Sequence, residues 1–232
     1  MTTASDLRAV LRQATAPSHE RMHRHRGLAA AAAGSIAVSD YRLLLARLFG
    51  FHRAFEAVME ASAREISIGF DLAERARSAA IESDLRVLGL DSENIAELPR
   101  CDQIFIPRSE GAFMGALYVV EGSTLGGIQI SRALAPVFGD GSDEGRRFFM
   151  GHGAGHGAMW RSLLDRLEES AGNPAQEAAA IDGAITTFLV FENWMDGWDH
   201  LPGKSAVTAA EPTGSQTESA ALAARLRATR SL

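Results

Sequence analysis

Apolar residues recur along this chain at three- and four-residue intervals almost from end to end, and runs of Val, Ile and Thr alternating in steps of two are missing. The pattern predicts an all-α fold. A first helix opens near Ser5, whose hydroxyl can cap it, and continues to about His25. A break or restart is expected at Pro17, because proline lacks the donor N–H and clashes one turn back. Ser39-Asp40 precedes a second, long helix in which Leu44, Leu48, Phe51 and Phe55 share one face. A third helix is expected over Asp71 to Leu88, and connecting chain from Asp91 to Pro107 leads into an apolar helix that carries Gly122, Gly126 and Gly127. A further helix begins near Asp143, is interrupted by Gly151, Gly153, Gly155 and Gly157, resumes through Trp160, and stops at Gly172-Asn173-Pro174. Ala178 to Trp198 forms the last core helix.

Beyond Pro202 the chain turns rich in Ala, Ser, Thr and Glu, a composition that buries little apolar surface. Residues 1–202 therefore read as one helical domain and 203–232 as a mobile tail, with a short terminal helix from Glu218. No internal repeat is visible. The 232 residues, 46% apolar, suffice for one full core. A net charge of −6 with basic and acidic residues interleaved lacks the basic stripe of a nucleic-acid binder. No run reaches the roughly 18 to 20 apolar residues of a membrane span. A single cysteine and the absence of a basic and apolar leader point to a cytoplasmic protein without a disulfide framework.

Glycine inside a helix costs about 0.5 to 1 kcal/mol relative to alanine, so three on adjoining turns imply that something lies close against the backbone, either a second helix or a flat ligand. The histidines decide what chemistry such a ligand meets. His19-Glu20-Arg21-Met22-His23 fits the H-E-x-x-H pattern of zinc peptidases, but a third ligand and a strand-bounded cleft are not evident. Glu20-x-x-His23 occurs once, whereas di-iron bundles use that motif twice. His152 and His156 stand one turn apart among glycines that hold a helix poorly. His52 reads as a core histidine, His200 as a cation at a helix C-terminus, and Cys101 as inert. A histidine on the first helix and a side-chain-free helix elsewhere can clamp a planar macrocycle, the imidazole binding its iron and the bare backbone roofing the opposite face.

The segments Leu11-Arg12-Gln-Ala-Thr15-Ala-Pro-Ser-His19, Tyr41-x5-Arg47-Leu-Phe-Gly-Phe-His52 and Leu117-Tyr118-Val-Val-Glu-Gly122-Ser-Thr-Leu-Gly126-Gly127 resemble heme oxygenases, especially the bacterial ones associated with phytochromes. Phe148-Phe-x-Gly-His-Gly and Ala184-x-x-Thr187-Phe-x-x-Phe-x-x-Trp194 extend the likeness toward residue 198, and Glu-Gly-Ser-Thr-Leu-Gly-Gly is its most specific part. The resemblance implies a helical bundle that sandwiches heme, as substrate and cofactor, between a proximal N-terminal helix and a kinked distal helix. It implies opening of the ring with O2 and electrons to biliverdin, carbon monoxide and ferrous iron. His19 matches the axial iron ligand, with Glu20 close enough in sequence to orient it. Gly122, Ser123, Gly126 and Gly127 match the catalytic distal segment.

Ser123 stands where many heme oxygenases carry an aspartate that anchors distal water, and a hydroxyl supplies neither the charge nor the acceptor strength of a carboxylate. Arg12, and in second place Arg146 and Arg147, are the expected partners of the heme propionates, and Tyr118 either reaches the pocket or packs. The chain carries no flavin or nicotinamide fingerprint, so electrons must come from a separate reductase, ferredoxin or ascorbate. A bacteriophytochrome is the expected acceptor of biliverdin. A non-catalytic heme carrier on the same scaffold and a zinc peptidase remain the alternative readings.

Overall fold

The computed structural model describes residues 6–138 and 143–200, and among them there is no strand. Ten α-helices follow one another: α1 Leu7–His23, α2 Arg26–Ala32, α3 Val38–Glu65, α4 Ser78–Val87, α5 Ser92–Ala96, α6 Glu110–Ala133, α7 Ala135–Phe138, α8 Arg147–Met150, α9 His156–Glu169 and α10 Pro174–Met195. The expected tail, 203–232, and the expected cap Ser5 lie outside the described residues.

Local chemistry explains where the elements depart from periodicity. The carboxylate of Asp6 caps α1 by accepting from the Ala9 N–H at 3.1 Å. Contrary to expectation α1 does not break at Pro17. The carbonyl deprived of a donor belongs to Gln13, and both residues face solvent, where water replaces the lost bond. The third helix is shorter than expected. Asp71 accepts from the Ala73 N–H at 3.0 Å and winds residues 73–75 into a 3₁₀ turn. Extended backbone at Ala76 then separates that turn from α4. Glu56, reaching from α3, accepts from the N–H groups of Arg77 and Ser78 at 2.6 and 2.8 Å and so restarts the helix. No helix begins at Asp143; α8 is a single turn that ends at Gly151, where φ is +70°. Asn173 caps α10 with Pro174 at its first position, so the last helix starts earlier than expected and stops at Met195. His200 lies beyond that end, beside the Asp199 carboxylate at 2.9 Å.

α10 is the spine of the domain, with α6 packed along it and α1 laid along it as well. The α6 crossing is backbone on backbone. A Cβ placed on Gly115 would come within 2.0 Å of the Ala180 carbonyl oxygen, one on Gly111 within 2.2 Å of the Gln176 carbonyl, and one on Gly183 within 2.4 Å of the Ala112 carbonyl. α1 buries Leu7, Leu11, Thr15 and Ser18. Its backbone approaches that of α6 at isolated points at most. Leu7 and Leu11 nonetheless join Phe113, Met114 and Leu117 in one apolar cluster. A second cluster gathers α3, α4 and the α8 turn around Tyr41, Leu44, Leu85 and Phe149.

Candidate functional site

Two stripes of side chains lie on α1 and α6, the helices that share α10 as support. On α1, Arg8, Arg12, His19 and His23 fall on one face by helical spacing and are exposed. On α6, Tyr118, Gly122, Leu125 and Gly126 form the corresponding face. The stripes are joined at one end. Burial raises the Tyr118 hydroxyl pKa, and the neighbouring cations of Arg8 and Arg12 oppose that shift. Arg12 is exposed and makes no ion pair among the described residues. Tyr118 packs against Trp160 of α9, with ring centroids 5.4 Å apart.

The α6 face is bare. A Cβ on Gly126 would meet nothing within 4 Å, and one on Gly122 would meet only the edge of the Trp160 ring, at 3.4 Å. Leu125 beside them is 53% exposed. Gly127 points the other way, toward the Phe149 backbone, where a Cβ would approach the carbonyl oxygen at 3.1 Å. Gly127 is therefore a packing glycine, and Gly122 and Gly126 are the open ones. The Ser123 hydroxyl donates to the Val120 carbonyl at 2.7 Å, one turn back along its own helix.

His19 has the state a metal ligand needs. Partial burial lowers its pKa, the adjacent His23 lowers it further and Glu20 opposes both, a balance that favours the neutral imidazole and its free lone pair. Its ring lies edge-on to His23 with centroids 4.5 Å apart. No hydrogen bond to its nitrogens occurs among the described residues. The expected orienting role of Glu20 has no support in the geometry, because that carboxylate turns to Arg24 at 3.7 Å. No cluster of three or more His, Cys, Asp and Glu side chains suited to a metal occurs among the described residues, so the H-E-x-x-H segment lacks the third ligand of a zinc peptidase. A neutral nitrogen donor on one helix and a cradle free of Cβ atoms on another fit an iron porphyrin.

Two expected propionate partners lie apart from Arg12 and Tyr118. Arg146 is buried and donates to the Ser131 carbonyl at 2.7 Å. Arg147 is exposed but engaged by the Asp143 carboxylate at 3.1 Å and the Ser83 hydroxyl at 3.0 Å.

Behind the bare face lies a polar network that periodicity did not reveal. Glu121 and Arg75 form a buried ion pair, and Arg75 also donates to the Met159 carbonyl at 3.4 Å and lies over the Phe70 ring. Arg77, buried, donates to the Thr124 hydroxyl at 2.7 Å and to the Phe148 carbonyl. Burial lowers its pKa to about 10 against the pull of Glu56, Glu121 and Asp84. A cavity of about 30 Å³, bordered by His52, Glu56, Arg75, Arg77 and Glu121, has room for a water molecule. His52 brings it an unpartnered Nδ1. Burial and the nearby Arg77 cation push the His52 pKa down to about 3. Asp84 of α4 anchors the α8 turn by accepting from the N–H groups of Arg147 and Phe148, each at 2.9 Å. The one signal for this network in the sequence is Glu121 itself, a lone carboxylate in the apolar run from Leu117 to Leu125.

The domain is all-helical among the described residues, with an open glycine face on α6 and an unpartnered imidazole on α1. The model of the heme oxygenase family matches residues 5–197, and the chain belongs to that family of heme-degrading enzymes. Among solved structures it is similar to the NO- and CO-bound heme oxygenase of Neisseria meningitidis, with 22% identity over 85% of this chain and 94% of that one and a TM-score of 0.64. It is also similar to heme oxygenase-1 of the cyanobacterium Synechocystis in complex with heme, with 16% identity over 88% and 95% of the two chains and a TM-score of 0.63. No curated protein matches the sequence. No helix among the described residues is long and apolar enough to cross a membrane.

Proposed function

We propose that the chain opens heme with O2 and externally supplied electrons, releasing biliverdin, carbon monoxide and ferrous iron. Heme lies between α1 and α6. His19 would bind its iron through the imidazole, and Arg12, with Tyr118 beside it, would hold the propionates. Gly122 and Gly126 admit the ring and O2 close to the backbone, while Ser123 and Gly127 fix the local course of the helix. Arg146 and Arg147, engaged elsewhere, are left out of the propionate set. When bound, heme supplies the iron that activates O2 and the ring carbon that is oxidised. What the protein adds is position: a bare face that excludes bulk water, and a mouth of cations that fixes how the ring enters. Electrons come from a separate reductase, a ferredoxin or ascorbate, and a bacteriophytochrome in the same cytoplasm receives the biliverdin.

The observation that carries this reading is the pairing of a neutral, unpartnered His19 with the open face at Gly122 and Gly126. Titration with hemin tests it. The expected result is a Soret band that His19→Ala abolishes while the fold, read by far-UV circular dichroism, is retained. With ascorbate and air the band decays as bilin absorbance grows and carbon monoxide appears. Bound heme that stays unchanged under those conditions would leave a carrier, and a Soret band indifferent to His19→Ala would overturn the site.

A further inference from the structure

The two residues that flank Gly122-Ser123 on the back of α6 are each held by an arginine from one short segment: Glu121 by Arg75, and Thr124 by Arg77. Both arginines are tied to other parts of the fold. Arg75 reaches the Met159 carbonyl of α9 and stacks on Phe70, and Arg77 reaches the Phe148 carbonyl of α8. The main-chain N–H of Arg77 is itself held by Glu56 of α3 at 2.6 Å. Glycines at 122 and 126 give α6 no side chains with which to fix its own height, because nothing touches their open side beyond the edge of Trp160. A weak helix stretch bracketed by buried charge-assisted bonds takes its position from those bonds.

We propose that Arg75 and Arg77 are positioning residues: paired with Glu121 and Thr124, they clamp the glycine helix from behind and set how closely its backbone approaches a heme on the other face. The clamp rests on the heme reading for its purpose, but not for its existence. It acts from behind the helix and touches neither ring nor oxygen.

Hydrogen exchange on the heme-free protein is the primary test, with Thr124→Val removing the acceptor of the Arg77 bond at nearly constant volume and Thr124→Ser keeping it. Thr124→Val is expected to raise exchange of the 119–127 amides about tenfold, since a hydrogen bond to a charged donor is lost beside a stretch that already opens easily, with α10 protection unchanged. Thr124→Ser is expected to exchange like the wild type. Glu121→Gln gives a second arm that loosens the same amides. Hemin-loaded, CO-bound samples add a spectroscopic readout: a C–O stretching band broadened by Thr124→Val and restored by Thr124→Ser. Equal exchange in all variants, or loss of protection spread evenly over α6 and α10, overturns the clamp. Because the exchange arm contains no heme, its result stands even if the His19→Ala titration removes the heme site.

Discussion

The two halves of α6 use the same residue for opposite ends. In the first half Gly111 and Gly115 carry no side chain because the backbone of α10 occupies the space where one would be, its carbonyl oxygens 2.2 and 2.0 Å from where a Cβ would stand. In the second half Gly122 and Gly126 carry none although the space is open. Glycine in the first half is a requirement of packing. At Gly122 and Gly126 it weakens the helix with no packing return inside the domain, as a site that uses bare backbone would require.

Substitution separates the halves most sharply at Gly115. Gly115→Ala drives a methyl into a main-chain carbonyl, which cannot rotate away, and a loss of about 3 kcal/mol is expected from overpacking of this kind. Urea unfolding of the heme-free protein measures it; a loss under about 0.5 kcal/mol, the range of ordinary surface changes, would erase the distinction.

A pH-dependent effect, smaller per unit of acidification but cumulative, concerns what stands behind the open half. His52 is neutral in the fold, with its pKa near 3, and has the ordinary value of 6.5 when unfolded. Above pH 6.5 it costs nothing. Below that the unfolded chain takes a proton the fold refuses, so stability falls by about 1.4 kcal/mol per pH unit down to about pH 3. His52→Phe is expected to flatten the acid limb relative to the wild type. Asp84, whose burial raises its carboxyl pKa to about 7, stabilises with the opposite slope from about pH 7 down, equally in both proteins, and cancels from the difference. Parallel stability curves for the two proteins would remove His52 from the account.

The smallest effect carries the opposite sign. Gly126→Ala meets nothing, so the heme-free protein is expected to gain about 0.5 to 1 kcal/mol of stability from better helix propensity, while hemin affinity and turnover fall. A variant stabilised with unchanged hemin binding would mean that the open face is not where the ring lies.

The helical class and the glycine helix were legible in the sequence because each is a local pattern of spacing, and Arg12, His19 and His23 could be placed on the first helix the same way, whereas Arg8 was not singled out. Which glycines pack was not, since Gly115 and Gly127 differ from Gly122 only in what a distant segment brings against them. The expected break at Pro17 failed for the same reason: a local rule yields when solvent takes the orphaned carbonyl. Arg146 was misplaced because an arginine in sequence reads as a surface cation, and its burial against Ser131 depends on the turn of α8. The Arg75–Glu121 pair, joining residues 46 positions apart, has no periodic trace at all.

α1 and α6 lean on one spine and scarcely meet. On the proposed reading a flat guest held between them would touch both, adding a tie between two walls otherwise joined through α10 and the cluster at Leu7 and Leu11. Such a guest stiffens its host in proportion to how tightly it is gripped. If the guest is heme and the chain consumes it, that tie would go with every turnover, and the walls would slacken at the moment the product has to leave.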